Sequence, residues 1–181
     1  MSPTATILDI GGNTGRFALK TVSENAQVNV TVMDLPQQLA MLKDNIDGKP
    51  GAERIHTVAG DLLNPETVIP GGFDVVWMSQ FLDCFSEQQV VSILSRVASG
   101  LKPGARVYIM ETLWDRQKFD TASFDLAQTS VYFTAMANGN SKMFYSNDLF
   151  KMIETAGLRV DEIVDNLGYG HSLIRCSLAN A

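Results

Sequence analysis

Cysteine is scarce in this chain: Cys84 and Cys176 are the only two. Two thiols cannot build the multi-bridge framework of a small secreted domain, so a reducing, cytoplasmic setting is expected. Histidine is equally rare, with His56 and His171 alone, and no His, Cys and acidic residues recur at metal-ligand spacing. No metal is expected. Basic residues are in deficit, 14 Lys and Arg against 20 Asp and Glu, which leaves a net charge of −6. That balance argues against a phosphate-backbone partner, so no nucleic acid is expected. No apolar run reaches the roughly 18 residues needed to span a bilayer. The opening MSPTATILDIGG also lacks the basic and apolar regions of a secretion signal, so neither a membrane partner nor export is expected. Nucleophile-elbow and phosphate-loop motifs are missing as well.

What remains is a pattern of short apolar runs alternating with helical stretches. The 181 residues, 45% of them hydrophobic, suit one domain over residues 1–181. Strands are expected at 6–9, 28–34, 54–58, 73–78, 105–111, 159–165 and 171–178. Pro36 sits where a first helical turn tolerates its missing N–H. Ser86 and Gln89 form a capping box, followed by an apolar face of Val90, Val91, Ile93, Leu94 and Val97 that stops at Gly100. Further helices are expected at 120–138 and 147–156. Strands separated by helices imply an α/β fold with a mostly parallel sheet and helices on both faces. The last two strands are joined only by NLGYG, too short for a crossover, so they pair as an antiparallel hairpin.

The stretch ILDIGGNTGRF reads as a strand entering a glycine-rich turn and then a helix. Such turns let bare backbone approach a ligand beyond the carboxyl ends of the strands. Asn13 stands where a third glycine is usual, but asparagine tolerates the left-handed region and can keep the turn. Asp34 closes the second strand, where a carboxylate can accept two ribose hydroxyls or simply cap the helix after Leu35. Asp61, in AGDLL after the third strand, can accept from an adenine amino group or shape a turn. Three such features at three successive strand ends point to a nucleoside cofactor.

As a set, these stretches resemble the catalytic domain of the plant-type and bacterial small-molecule O-methyltransferases, a class I S-adenosylmethionine (SAM) methyltransferase family. ILDIGGNTG matches the family's DVGGGTG, VMDLP its FDLP, and AGDLL its GDFF. FLDCFSEQQVVSILSRVASGLKPGARVYIMET follows its LHDWSDE…LKPGGRVLIVE in order and spacing. The resemblance implies a Rossmann-like, seven-stranded sheet with an antiparallel C-terminal hairpin. It implies SAM as cofactor, S-adenosylhomocysteine (SAH) as product, and a hydroxyl or carboxyl of a small aromatic or polyketide-type metabolite of secondary metabolism as acceptor. SAM would lie along Asp9, Gly11, Gly12 and Asn13, with its ribose at Asp34 and Leu35. Its adenine would meet Gly60, Asp61 and Leu62, and its methionine portion Ser79. The acceptor would lie among Trp114, Tyr132, Phe133 and Met136, although apolar residues at helical spacing also serve as core. Family members carry a helical dimerisation region before the first strand, so this chain is expected to be the catalytic part of a homodimer.

One departure bears on chemistry. The family's general-base histidine aligns with Asp83, while the acid that orients it aligns with Glu111. An aspartate of ordinary pKa near 3.9 is about six units weaker than a phenolate, so complete proton transfer would be uphill by roughly 8 kcal/mol. Burial, and Glu111 nearby, would raise Asp83 and shrink that gap. Asp83, supported by Glu111, is therefore expected to orient or deprotonate the acceptor; the alternatives are that Asp83 caps or orients the loop before the Ser86 helix and that Glu111 bonds a neighbouring backbone amide. Two other functions fit parts of the sequence. A SAM- or SAH-binding domain that lost catalysis with the histidine is one. A nicotinamide-dependent oxidoreductase shares the turn and the strand-end acid, but would carry a sixth parallel strand where this chain has a hairpin.

Overall fold

A computed structural model describes residues 5–180. Seven strands form one sheet in the order β3-β2-β1-β4-β5-β7-β6. These are β1 (Ala5–Ile10), β2 (Val28–Asp34), β3 (Ile55–Ala59), β4 (Val75–Ser79), β5 (Arg106–Glu111), β6 (Leu158–Leu167) and β7 (His171–Leu178). Pairings among β1 to β5 are parallel, whereas β7 runs antiparallel to both β5 and β6. The expected hairpin is thus present, and the strand order reverses between β1 and β4. The helices are α1 (Arg16–Glu24), α2 (Pro36–Ile46), α3 (Glu87–Gly100), α4 (Asp120–Met136) and α5 (Ser146–Thr155). None of the described helices is long and apolar enough to cross a membrane.

Local chemistry explains the element ends. Pro36 opens α2. The Ser86 hydroxyl accepts from the Gln89 N–H while the Gln89 side chain accepts from the Ser86 N–H, so the capping box closes reciprocally. Val90, Ile93, Leu94 and Val97 then bury one stripe of α3.

Each sheet face has its own core. Against one face, α3 and α5 pack on Leu8, Ile10, Val76, Met78, Val107, Ile109 and Ile174. Against the other, α1 and α2 pack on Val30, Val32 and Ile55. This second core takes no residue from β4 to β7. On that open half of the sheet, Trp77, Tyr108, Arg175 and Glu162 lie side by side in register. Phe17 of α1 reaches over to stack on Trp77, with ring centroids 4.5 Å apart.

Between β3 and β4 there is no helix, and Arg96 of α3 holds that connection in place. Its guanidinium donates to the carbonyls of Leu62, Asn64 and Thr67 at 2.7–3.3 Å. Replacing it with methionine removes the donors of the Leu62 and Thr67 carbonyls, whereas the Asn64 carbonyl still accepts the Thr67 N–H at 3.0 Å, and keeps the apolar stem. We expect Arg96→Met to lower stability by about 2–3 kcal/mol, with the 61–72 segment gaining amide exchange first. Loss of stability with unchanged exchange there would contradict this role.

Candidate functional site

The carboxyl ends of β1, β2 and β4 converge where the strand order reverses, the place where open α/β sheets bind ligands. The glycine turn leaves β1 there. Gly11, Asn13 and Gly15 all have positive φ, 73°, 49° and 75°. Asn13 therefore keeps the turn in the left-handed conformation, as the sequence suggested. A Cβ on Gly12 would strike the Asp9 carboxylate and Val32, and one on Gly11 would strike the Phe81 ring. Close approach demands glycine at both, and the positive φ demands it at Gly11 as well.

Asp9 is the anomaly of this region. It is 2% exposed, and its Oδ2 has no hydrogen-bond partner. Burial, with the charge of Asp34 adding to it, pushes its carboxyl up to about 7. A buried unpaired carboxylate costs free energy until a donor or cation meets it.

Asp34 sits one strand over. Its Oδ2 accepts the Asn13 N–H at 2.8 Å and its Oδ1 the Leu35 N–H at 2.7 Å. Each oxygen keeps a lone pair for a further donor. Because α2 has no side-chain cap, the capping alternative for Asp34 reduces to the Leu35 bond. Asp61 accepts the Leu63 N–H through Oδ1 at 2.9 Å, so it does shape its turn, and among the described residues no bond engages its other oxygen.

The ten expected cofactor residues fall into two adjoining hollows. Asp9, Gly11, Gly12, Asn13 and Ser79 line a cleft of about 740 Å³ that also takes in Phe17 and Trp77. Asp34, Leu35, Gly60, Asp61 and Leu62 line a smaller hollow of about 130 Å³ with Phe81 and Phe85. The Asn13–Asp34 bond and the Phe81 ring, set against Gly11, stand at the junction. Phe81 and Phe85 were not singled out from the sequence. Their spacing around LDC reads as loop, and only the 3₁₀ turn at Leu82–Cys84 brings the two rings to 4.9 Å.

Behind Phe81 lies the acid pair. Glu111 ends β5 fully buried, and its Oε1 accepts the N–H groups of Phe81 and Leu82 at 3.0 and 2.8 Å. Gln80, in the left-handed region at φ 49°, brings its Nε2 to 3.4 Å from Oε2. Glu111 thus braces the turn that carries Asp83. Burial, then the Asp83 charge, raises Glu111 well above the carboxylate range, and burial raises Asp83 too. The Asp83 carbonyl accepts the Lys142 N–H at 3.0 Å, and the Cys84 carbonyl accepts from Asn138 at 2.8 Å. Those bonds tie the α4–α5 connection to the acid turn.

The expected acceptor residues are not gathered. Trp114 stacks on Tyr145 with centroids 5.2 Å apart. Tyr132, Phe133 and Met136 lie exposed on α4, a 17-residue helix with no buried side chain. An apolar helix left open in this way has a face waiting for cover.

Comparison with known proteins places this geometry. A family model described as an O-methyltransferase domain matches residues 1–159. A dual O-methyltransferase/FAD-dependent monooxygenase of Phaeosphaeria nodorum is 25% identical over 192 aligned positions, covering 100% of this chain and 20% of that protein. The 3-amino-4-hydroxybenzoate 4-O-methyltransferase of Streptomyces cremeus is 25% identical, covering 87% of this chain and 41% of the relative. The solved mitomycin 7-O-methyltransferase MmcR superposes with a TM-score of 0.85 at 22% identity, over 97% of this chain and 49% of its own. The chain thus spans half or less of the length of these relatives. With its sheet order, strand-tip acids and family match in agreement, the chain belongs to the O-methyltransferase domain family.

Proposed function

We propose that residues 1–181 form the cofactor-holding and catalytic domain of a SAM-dependent O-methyltransferase. Its acceptor is a hydroxyl or carboxyl of a small aromatic or polyketide-type metabolite. The observation that carries this reading is the orphaned Asp9 Oδ2 beneath a glycine turn that no Cβ could enter. A cationic, amine-bearing ligand is what such a carboxylate lacks. The residues present fit SAM in kind as well. Asp34 retains acceptor capacity for ribose hydroxyls, and the apolar hollow of Leu62, Phe81 and Phe85 suits a flat base edged by Asp61.

When bound, SAM supplies an electrophilic methyl group. The chain's own residues hold it along Asp9, Gly11, Gly12, Asn13 and Ser79, and align the acceptor for in-line displacement. Asp83 takes or orients the acceptor proton at its carboxylate. Glu111 fixes the Asp83 turn by accepting the Phe81 and Leu82 N–H groups, while burial favours the protonated form of Asp83. Trp114, Tyr132, Phe133 and Met136 contribute acceptor contacts once the open side of α4 is covered. The half-buried sheet face at Trp77 and Tyr108, which lies outside the second core, together with the exposed apolar residues of α4, supports further helical chain packing here and a homodimer built through it.

One observation favours a second reading, cofactor binding without turnover: a carboxylate, not an imidazole, occupies the base position. Calorimetry with SAM, followed by turnover of labelled SAM against phenols and carboxylic acids, separates the two. Binding in the micromolar range with methyl transfer is the expected result. Binding without transfer by the intact polypeptide supports the second reading, and absence of binding removes both.

A further inference from the structure

Resting on the methyl-transfer reading, we infer that Arg16 is a specificity-determining residue of the larger cleft, where it receives the carboxylate at the cofactor's amino-acid end. The cleft then requires an amino-acid zwitterion and disfavours adenosyl ligands that keep the amine but lack the carboxylate.

Charge is divided across this cleft of about 740 Å³. Among its lining residues Asp9 is the one acid, while Arg16 and Lys49 are the two bases. Most other cations of the chain are engaged. Nine of the 14 Lys and Arg side chains form ion pairs with Asp or Glu. Arg96 donates to carbonyls, and Lys118 lies over the Phe119 ring, 5.4 Å from its centroid. Arg16, Lys43 and Lys49 remain among the described residues, and two of these three line the cleft. In a chain of net charge −6, free cations gathered at one cleft favour an anion from outside.

The backbone puts the same sign there. Gly15 caps α1 without a side chain, and the first helical turn holds no acid. The Leu19 N–H donates to the Gly15 carbonyl, so the preceding N–H groups of Arg16 and Phe17 have no acceptor within the helix. The positive end of α1 therefore reinforces the Arg16 side chain. A helix end alone would not make a site. The independent observation is Asp9 Oδ2, buried and without a partner in the same cleft.

Local geometry brings these groups together. The Gly15 N–H donates to the Gly12 carbonyl at 2.9 Å, which folds the turn back towards β1. Phe17, next after Arg16, stacks on Trp77, and Trp77 sits in register beside Asp9. The first turn of α1 is thus pinned to the strand pair that carries the orphaned carboxylate. An amine and a carboxylate on one carbon meet both demands at once. The planar guanidinium suits the carboxylate because its fork can donate two parallel bonds.

Titration calorimetry on the whole chain tests this with SAH and with S-adenosyl-3-thiopropylamine, the same thioether without its carboxylate. SAH is expected to bind about tenfold or more tightly than the amine. Arg16 is exposed, so its exchange leaves the fold intact. Arg16→Gln should shrink the ratio to about threefold or less, by weakening SAH while the amine stays within about twofold. Arg16→Lys, which keeps the charge but not the fork, should fall between. Lys43→Gln makes the same change in net charge outside the cleft and should keep the parent ratio. Absence of SAH binding to the parent protein overturns the methyl-transfer reading itself. Normal SAH binding with the amine bound equally well overturns the zwitterion requirement alone. A ratio that survives in Arg16→Gln, or falls as far in Lys43→Gln, removes the role from Arg16.

Discussion

Replacing Asp9 with asparagine is expected to make the ligand-free protein more stable at pH 8 and to weaken its hold on SAM. The carboxyl of Asp9 has a folded-state pKa of about 7 against an ordinary 3.8. A group raised in this way binds protons more tightly when folded. Its favourable contribution is present below about pH 4 and is lost as pH rises towards 7. At about 1.36 kcal/mol per pH unit, the penalty at pH 8 is on the order of 4 kcal/mol. Asparagine removes that charge without changing side-chain shape. The thermal midpoint at pH 8 should rise by about 5–10 °C, and the decline in stability between pH 4 and 7 should flatten. Glu111, also raised by burial, leaves a residual slope. Loss of a charge-assisted contact should weaken SAM by about tenfold to a hundredfold. Scanning calorimetry across pH, with titration calorimetry of SAM, reads both effects. An unchanged pH slope in Asp9→Asn would show that the buried carboxylate is not the source.

The second large effect concerns Asp83→Asn. It should lower kcat by about 10²–10³, within the range of general-base contributions, while SAM affinity stays within about threefold. The two effects separate because Asp83 lines neither of the hollows that hold the expected cofactor residues. The pH–rate profile is the more pointed readout. Asp83 must be unprotonated to accept a proton, and burial raises its pKa. The acid limb should therefore lie above the usual aspartate range near 3.9. In Asp83→Asn that limb should vanish. Activity equal to the parent protein would remove Asp83 from the mechanism, and a surviving acid limb would assign the proton to another group.

Most of the geometry of the candidate cofactor cleft was legible in the residues. Strand-end acids and a glycine turn are local features, written within a dozen positions each, and the parallel topology follows from alternating strands and helices. Asn13 was readable because few side chains tolerate positive φ. The acceptor side was not. Trp114, Tyr132, Phe133 and Met136 carry apolar bulk at helical spacing, which states that something will cover them but not what. Phe81 and Phe85 escaped notice because their meeting depends on a 3₁₀ turn braced by Glu111, some 30 residues away in sequence.

By itself, then, the order of residues determined the strand pattern, the closing hairpin, the turn chemistry and the candidate acids, because each depends on neighbours close along the chain. Tertiary structure alone decided that Asp9 loses its water and gains no partner, that Glu111 spends its lone pairs on the turn bearing Asp83, and that half of one sheet face is left open. Those outcomes depend on burial and on contacts across the sheet, and solvation is a property of the packed molecule, not of any local stretch.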